Sequence, residues 1–194
     1  MPSNPSLQPR LHSSPHASGG TPSEWVRRFA DLLPSGARVL DLAAGGGRHA
    51  RLLAGRGFRV TAVDRDAAAL ATMEGVAGIE TRVLDLENAC WPLDGECFDA
   101  VVVANYLYRP RLAELFALVR PGGLVIYETF MLGNERFGKP SNPDFLLRPG
   151  ELISCLPAGW CVIAFEQGEV ERPAMIQRLC ATRSAEPGRL PRPV

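Results

Sequence analysis

Apolar and polar positions alternate between two rhythms along the chain. Short stretches with strand character, Val39-Leu40-Asp41-Leu42, Phe58 to Asp64, Ile79 to Leu84, Phe98 to Ala104 and Leu124 to Phe130, read as strands of a parallel sheet. Between them lie segments with helical spacing. Trp25, Phe29 and Leu32 fall on one face of a helix running to about Leu33, whose start is predicted at Thr21-Pro-Ser-Glu24, a threonine cap with proline and glutamate behind it. Arg48 to Ala54, Ala67 to Gly75 with Asp66 as its cap, Arg111 to Val119 and Pro149 to Leu156 are the further helices. Trp160 to Glu169 and Ala174 to Thr182 read as two strands joined as an antiparallel hairpin. Strand and helix in alternation predict an α/β fold, a doubly wound, Rossmann-like sheet with helices on both faces.

The pattern also sets the boundaries. Residues 1–20 are rich in proline and serine and hold few large apolar groups, so they are expected to be a disordered tail in which His12 and His16 are solvated. Residues 21–183 are expected to form a single domain, and 184–194 a flexible tail. Between Met131 and Arg148 no periodicity is visible, over a length that predicts a functional loop or lid.

Composition narrows the function. The 194 residues carry 21 basic and 21 acidic side chains, so no global positive field favours a nucleic-acid partner. The five cysteines have no metal-ligand spacing, no run is long enough to span a membrane, and the first residues lack a basic and apolar leader. A soluble, cytoplasmic protein with reduced thiols and no metal is the expectation.

The chemistry gathers at strand ends. Gly45, Gly46 and Gly47 follow the first strand and allow the backbone to approach a ligand closely. Asp41, just before them, would repel a pyrophosphate and suits a cofactor that brings a cation, as the ammonium and sulfonium of S-adenosylmethionine do. Asp64 ends the second strand at about the 20-residue distance that separates a glycine turn from a ribose-binding carboxylate. Asp85 and Leu86 follow the third strand, where an adenine amino group and ring would be met. Asn105 and Tyr106 follow the fourth, where cofactor and acceptor should meet. Glu128 ends the fifth and, with Tyr106, is a candidate base. Arg109, Asn134 and Arg136 are candidate contacts for an acceptor. His49 is read as packing or cofactor contact rather than a base.

The glycine turn, the acid ending the second strand, Asp85-Leu86 and the Pro-Gly-Gly before the fifth strand together resemble the class I S-adenosylmethionine-dependent methyltransferases, over roughly Arg38 to Thr182. The stretch Tyr127-Glu-Thr-Phe-Met-Leu-Gly-Asn-Glu and the following Pro-Gly-Glu151 are loosely similar to the small bacterial tellurite-resistance-type methyltransferases. The resemblance implies a seven-stranded sheet, mostly parallel, with an antiparallel last strand. It implies that Asp41, Gly45 and Gly47 surround the methionine part of the cofactor, Asp64 the ribose, Asp85 and Leu86 the adenine, and Asn105, through its backbone, the methionine end. Ala43 stands where the family places the first glycine, and a negative φ, or slightly more room, is expected there. The acceptor is expected to be a small molecule, because no Asn-Pro-Pro-Tyr-like sequence follows the fourth strand. Two rivals remain at this point: an NAD-type Rossmann oxidoreductase, since Gly45-Gly-Gly-Arg-His-Ala50 fits G-x-G-x-x-A, and a non-catalytic S-adenosylmethionine-binding regulatory protein.

Overall fold

A computed structural model describes residues 20–191. The expected tail 1–20, apart from Gly20, and with it His12 and His16, lies outside the described residues, as do the last three positions.

Seven strands form one sheet in the order β3-β2-β1-β4-β5-β7-β6: β1 Arg38–Leu42, β2 Arg59–Asp64, β3 Ile79–Val83, β4 Phe98–Ala104, β5 Val119–Phe130, β6 Cys161–Val170 and β7 Ala174–Thr182. Pairings from β3 through to β5 are parallel, while β7 runs antiparallel to both β5 and β6. The expected sheet, with its antiparallel last strand, is the one observed. From β1 the chain winds outward through β2 to β3, and β4 then starts on the other side of β1. Such a reversal opens a crevice at the carboxyl ends of β1 and β4.

Alternation along the strands divides the core into two layers. Val39, Val60, Ala100, Val102 and Ile126 pack against α1 (Glu24–Ala30), α2 (Arg48–Gly55) and α3 (Ala67–Ala71) through Trp25, Phe29, Leu53 and Leu70. Leu40, Leu42, Val101, Val103 and Tyr127 pack against α4 (Leu112–Ala117) and α5 (Glu151–Ser154) through Leu115, Phe116 and Leu152. Each large side chain buried in these layers contributes about 1.5–3 kcal/mol.

Several local expectations are corrected. The cap of α1 is Ser23, whose hydroxyl accepts from the Trp25 and Val26 amides, rather than Thr21, and the helix closes at Ala30. Asp66 caps α3 as expected, but the regular helix stops at Ala71 and continues as turns. Arg120 to Gly123 is part of β5, beside a register shift against β4, because Gly122 and Gly123 exchange hydrogen bonds with Arg183. Finally, the stretch 131–148 is not structureless. Met131 bridges Leu147, and single 3-10 turns form at Asn134–Arg136 and Pro143–Phe145.

Candidate cofactor and acceptor site

The glycine turn leaves β1 at the crevice. Ala43 has φ 58°, Gly45 φ 52° and Gly47 φ 77°. Ala43 therefore departs from its expected negative φ, and it is one of two non-glycine residues with positive φ among those described; the other is Asn105, at φ 57°. These two follow the neighbouring strands β1 and β4, whose ends open the crevice. A left-handed non-glycine residue costs about 1–2 kcal/mol, and such strain collects at ligand sites. Gly47 has a further constraint, because a Cβ there would lie 1.8 Å from the Met73 sulfur.

Asp41 is 1 % exposed, and its Oδ2 has no hydrogen-bond partner among the described residues. Burial pushes the carboxyl pKa up to about 7, against the lowering effects of the Ala50 amide and the Arg48 charge, while Asp64 adds to the rise. A buried carboxylate with a free oxygen calls for a cation or a donor. Asp64 Oδ2 accepts from the Gly45 amide at 2.7 Å and Oδ1 from the Asp66 amide at 2.9 Å, so this carboxylate ties the glycine turn to the end of β2. Asp85 accepts from the Glu87 amide at 3.0 Å, and Leu86 is buried in the same apolar layer that holds Ala43.

His49, at the start of α2, accepts the Ser23 amide on Nε2 at 3.1 Å. Burial, reinforced by the Arg48 charge, lowers its pKa to about 3, so it is neutral and packs α2 against the cap of α1. It joins the glycine turn to the leading helix.

At the end of β4 two hydrogen bonds pin the backbone, and beyond it the crevice is built differently. The Asn105 amide donates to the Glu128 carbonyl at 2.9 Å, and the Tyr127 hydroxyl donates to the Tyr106 carbonyl, also at 2.9 Å. Arg109 is held by both oxygens of Glu151, at 2.6 and 2.9 Å, and by the carbonyls of Asp144 and Leu146. Asn134 is 2 % exposed; its Nδ2 donates to the Pro140 carbonyl and its Oδ1 accepts the Met175 amide. Arg136 donates to the Gly133 carbonyl and lies over the Phe137 ring. Glu128 is ion-paired to Arg178 at 2.6 Å. The four polar side chains Arg109, Asn134, Arg136 and Glu128 thus hold the protein to itself. Sequence reasoning missed Gln177, which accepts the Leu152 amide and donates to the Arg148 carbonyl, and Tyr127. The signal for Gln177 was a single amide inside the apolar run of β7.

A cavity of about 530 Å³ opens at the opposite end of the sheet, lined by Asp99 and Arg120 near the starts of β4 and β5 and by residues 188–191. The glycine turn does not line it. Among the described residues no cluster of side chains could hold a metal ion, and no helix is long and apolar enough to cross a membrane.

Residues 39–123 match the methyltransferase domain family. A tRNA U34 carboxymethyltransferase of Methylococcus capsulatus is 29 % identical over 154 residues, covering 69 % of this chain and 47 % of that protein. The chain spans about half the length of the curated relatives it matches. Among solved structures, TehB from Haemophilus influenzae superposes with a TM-score of 0.69 at 20 % identity, covering 82 % of this chain and 62 % of that one. A TehB-like S-adenosylmethionine-dependent methyltransferase from Corynebacterium glutamicum does so with a TM-score of 0.63 at 19 % identity, covering 86 % of this chain and 90 % of that one. The expected resemblance is borne out: residues 39–123 match a methyltransferase domain, and the fold is that of the class I S-adenosylmethionine-dependent methyltransferases, resembling TehB.

Proposed function

We propose that the chain is a methyltransferase that passes the methyl group of S-adenosylmethionine to a small-molecule acceptor. The observation that carries this reading is the unpartnered Oδ2 of buried Asp41 beside the glycine turn. It fits a cofactor with an ammonium and disfavours one with a pyrophosphate, which argues against the NAD-type alternative. Asp41, Ala43, Gly45 and Gly47 would hold the methionine part, Asp64 the ribose, Asp85 and Leu86 the adenine, and the Asn105 backbone the methionine end.

When bound, the cofactor supplies an already activated methyl group on a sulfonium. The contribution left to the protein is positioning in a dry site, since an oriented pair of reactants forgoes the entropy of meeting. The self-paired groups opposite the glycine turn serve as a preformed wall for that purpose. Glu128, held by Arg178, serves that wall rather than acting as a base, and the same holds for Arg109, Asn134 and, at the surface, Arg136. Equal numbers of acidic and basic residues support a small acceptor over a nucleic acid, and five unpaired cysteines support a cytoplasmic setting. Residues 21–183 are read as one catalytic domain.

Calorimetric titration with S-adenosylmethionine, S-adenosylhomocysteine and NAD tests the cofactor, with heat expected for the first two only. NAD binding alone would overturn the reading. Incubation with labelled S-adenosylmethionine and a panel of thiols, amines, carboxylates and oxyanions tests the activity. Cofactor binding with no transfer to any of them would favour the non-catalytic binder.

A further inference from the structure

Two buried side-chain atoms have no hydrogen-bond partner among the described residues, Asp41 Oδ2 and the Tyr106 hydroxyl. The first belongs to the cofactor site proposed above. The second belongs to Tyr106, expected from the sequence to serve the acceptor. Tyr106 follows β4, and its carbonyl is pinned by the Tyr127 hydroxyl at 2.9 Å just after the left-handed turn at Asn105. Its ring packs on the apolar layer that also receives Ala43, Leu84 and Leu86, the residues around the glycine turn and after β3. The charged groups that act on its hydroxyl are Glu87, Asp85 and Arg65, together with the Tyr108 phenol. Glu87 and Asp85 follow β3 and Arg65 follows β2, so the hydroxyl lies within electrostatic reach of the ends of β2 and β3.

A phenol has one proton to give, and burying it unpaired costs about 1–3 kcal/mol. That cost is recovered when a ligand brings an acceptor atom. Burial, with the neighbouring carboxylates, pushes the Tyr106 pKa up, so the hydroxyl keeps its proton at neutral pH. Resting on the S-adenosylmethionine reading, we infer that Tyr106 is a cofactor-binding residue whose hydroxyl donates to the adenosyl half, to a ring nitrogen or a ribose oxygen, and that it is not a base acting on the acceptor.

The test is Tyr106→Phe, which removes only the hydroxyl. In the ligand-free protein the melting temperature should hold or rise, because an unsatisfied buried group is gone. The dissociation constants of S-adenosylmethionine and S-adenosylhomocysteine should rise by about 2- to 12-fold, the worth of one neutral hydrogen bond. 5′-Methylthioadenosine, which has the adenosyl half without the amino-acid end, should weaken by the same factor. Unchanged affinity for all three ligands would overturn the assignment. So would a loss confined to the two ligands that carry the amino-acid end, or a lower melting temperature without ligand. A wild-type protein that binds neither S-adenosylmethionine nor S-adenosylhomocysteine would overturn the cofactor reading itself, a result distinct from equal binding by both proteins.

Discussion

The two halves of the crevice treat their polar groups in opposite ways. Around the ends of β1 and β4, among the described residues, two buried polar atoms lack partners and two non-glycine residues hold left-handed backbone. Around β5, β7 and the 131–148 stretch, Arg109, Glu151, Asn134, Gln177 and Glu128 are bonded to one another or to backbone. Unpaired buried groups lower stability, so their concentration in one half fits the proposal that a ligand completes the structure there. Satisfied networks fix geometry and mark a wall. The stretch that looked like a mobile lid is part of that wall.

The largest expected effect comes from filling the turn. In Gly47→Ala the new Cβ would meet the Met73 sulfur at 1.8 Å and hold a φ of 77° that alanine resists. Left-handed strain and overpacking together cost about 2–4 kcal/mol, a fall of about 10 °C in melting temperature for a domain of this size. In a Met73→Ala background the cost of Gly47→Ala should shrink to the left-handed strain alone. A single variant that melts like the wild type would show that the turn is not tightly packed.

Next is the wall. Arg109→Met keeps the apolar stem and breaks the bidentate pair with Glu151, leaving a mostly buried carboxylate without its cation. A pair buried to this degree lies between the surface and interior cases, so a loss of about 2 kcal/mol is expected. Trypsin should then cut faster after Arg136, with S-adenosylmethionine affinity unchanged. Unaltered cleavage would mean that Arg109 does not hold the stretch; weakened cofactor binding would mean that the two halves are not separable.

The difference between the halves also explains what was legible in the sequence. Strands β1 and β4, the Asp66 cap and the acids at strand ends were readable because each is carried by a local pattern. The wall was not. Arg109 and Glu151 are 42 positions apart, and Gln177 reaches Leu152 from 25 positions away, so no window along the chain contains both partners. The α1 cap was misplaced for the same reason. Thr21 and Ser23 both fit a local cap pattern, but only Ser23 is also held through its amide by His49, 26 positions on.

Asp41 sharpens the cofactor half through pH. Its ligand-free pKa near 7 means that a cationic ligand, which favours the ionised form, displaces a proton below that pH. S-adenosylmethionine affinity should therefore rise by up to about tenfold per pH unit between about pH 5 and 7, then level off, and Asp41→Asn should abolish the slope. A flat wild-type profile would remove the carboxylate from the cationic end. For stability the signs oppose. Asp41, raised from 3.8 to about 7, favours the folded state at low pH and loses that contribution as pH rises to 7. His49, lowered from 6.5 to about 3, costs stability as pH falls below 6.5. Over their common window the two offset, so Asp41→Asn should make the folded protein markedly more acid-sensitive, measured as melting temperature between pH 6.5 and 4.5.

The smallest effect bears on why the turn carries an alanine at all. Ala43 at φ 58° pays a steric cost of about 1–2 kcal/mol that glycine would not. Glycine gives back about 0.4–1 kcal/mol through the greater freedom of the unfolded chain, so Ala43→Gly should stabilise the ligand-free protein by about 0.5 kcal/mol, a shift of 1–2 °C. The methyl group, however, packs on the apolar layer shared by Leu86 and Tyr106, at the proposed adenosyl end. If that contact serves the cofactor, the same substitution leaves S-adenosylmethionine affinity unchanged or lower despite the gain in stability. Higher affinity together with higher stability would instead mean that the strained turn opposes the ligand. The left-handed residue would then be a defect of the loop, and strain would no longer distinguish the cofactor half from the wall.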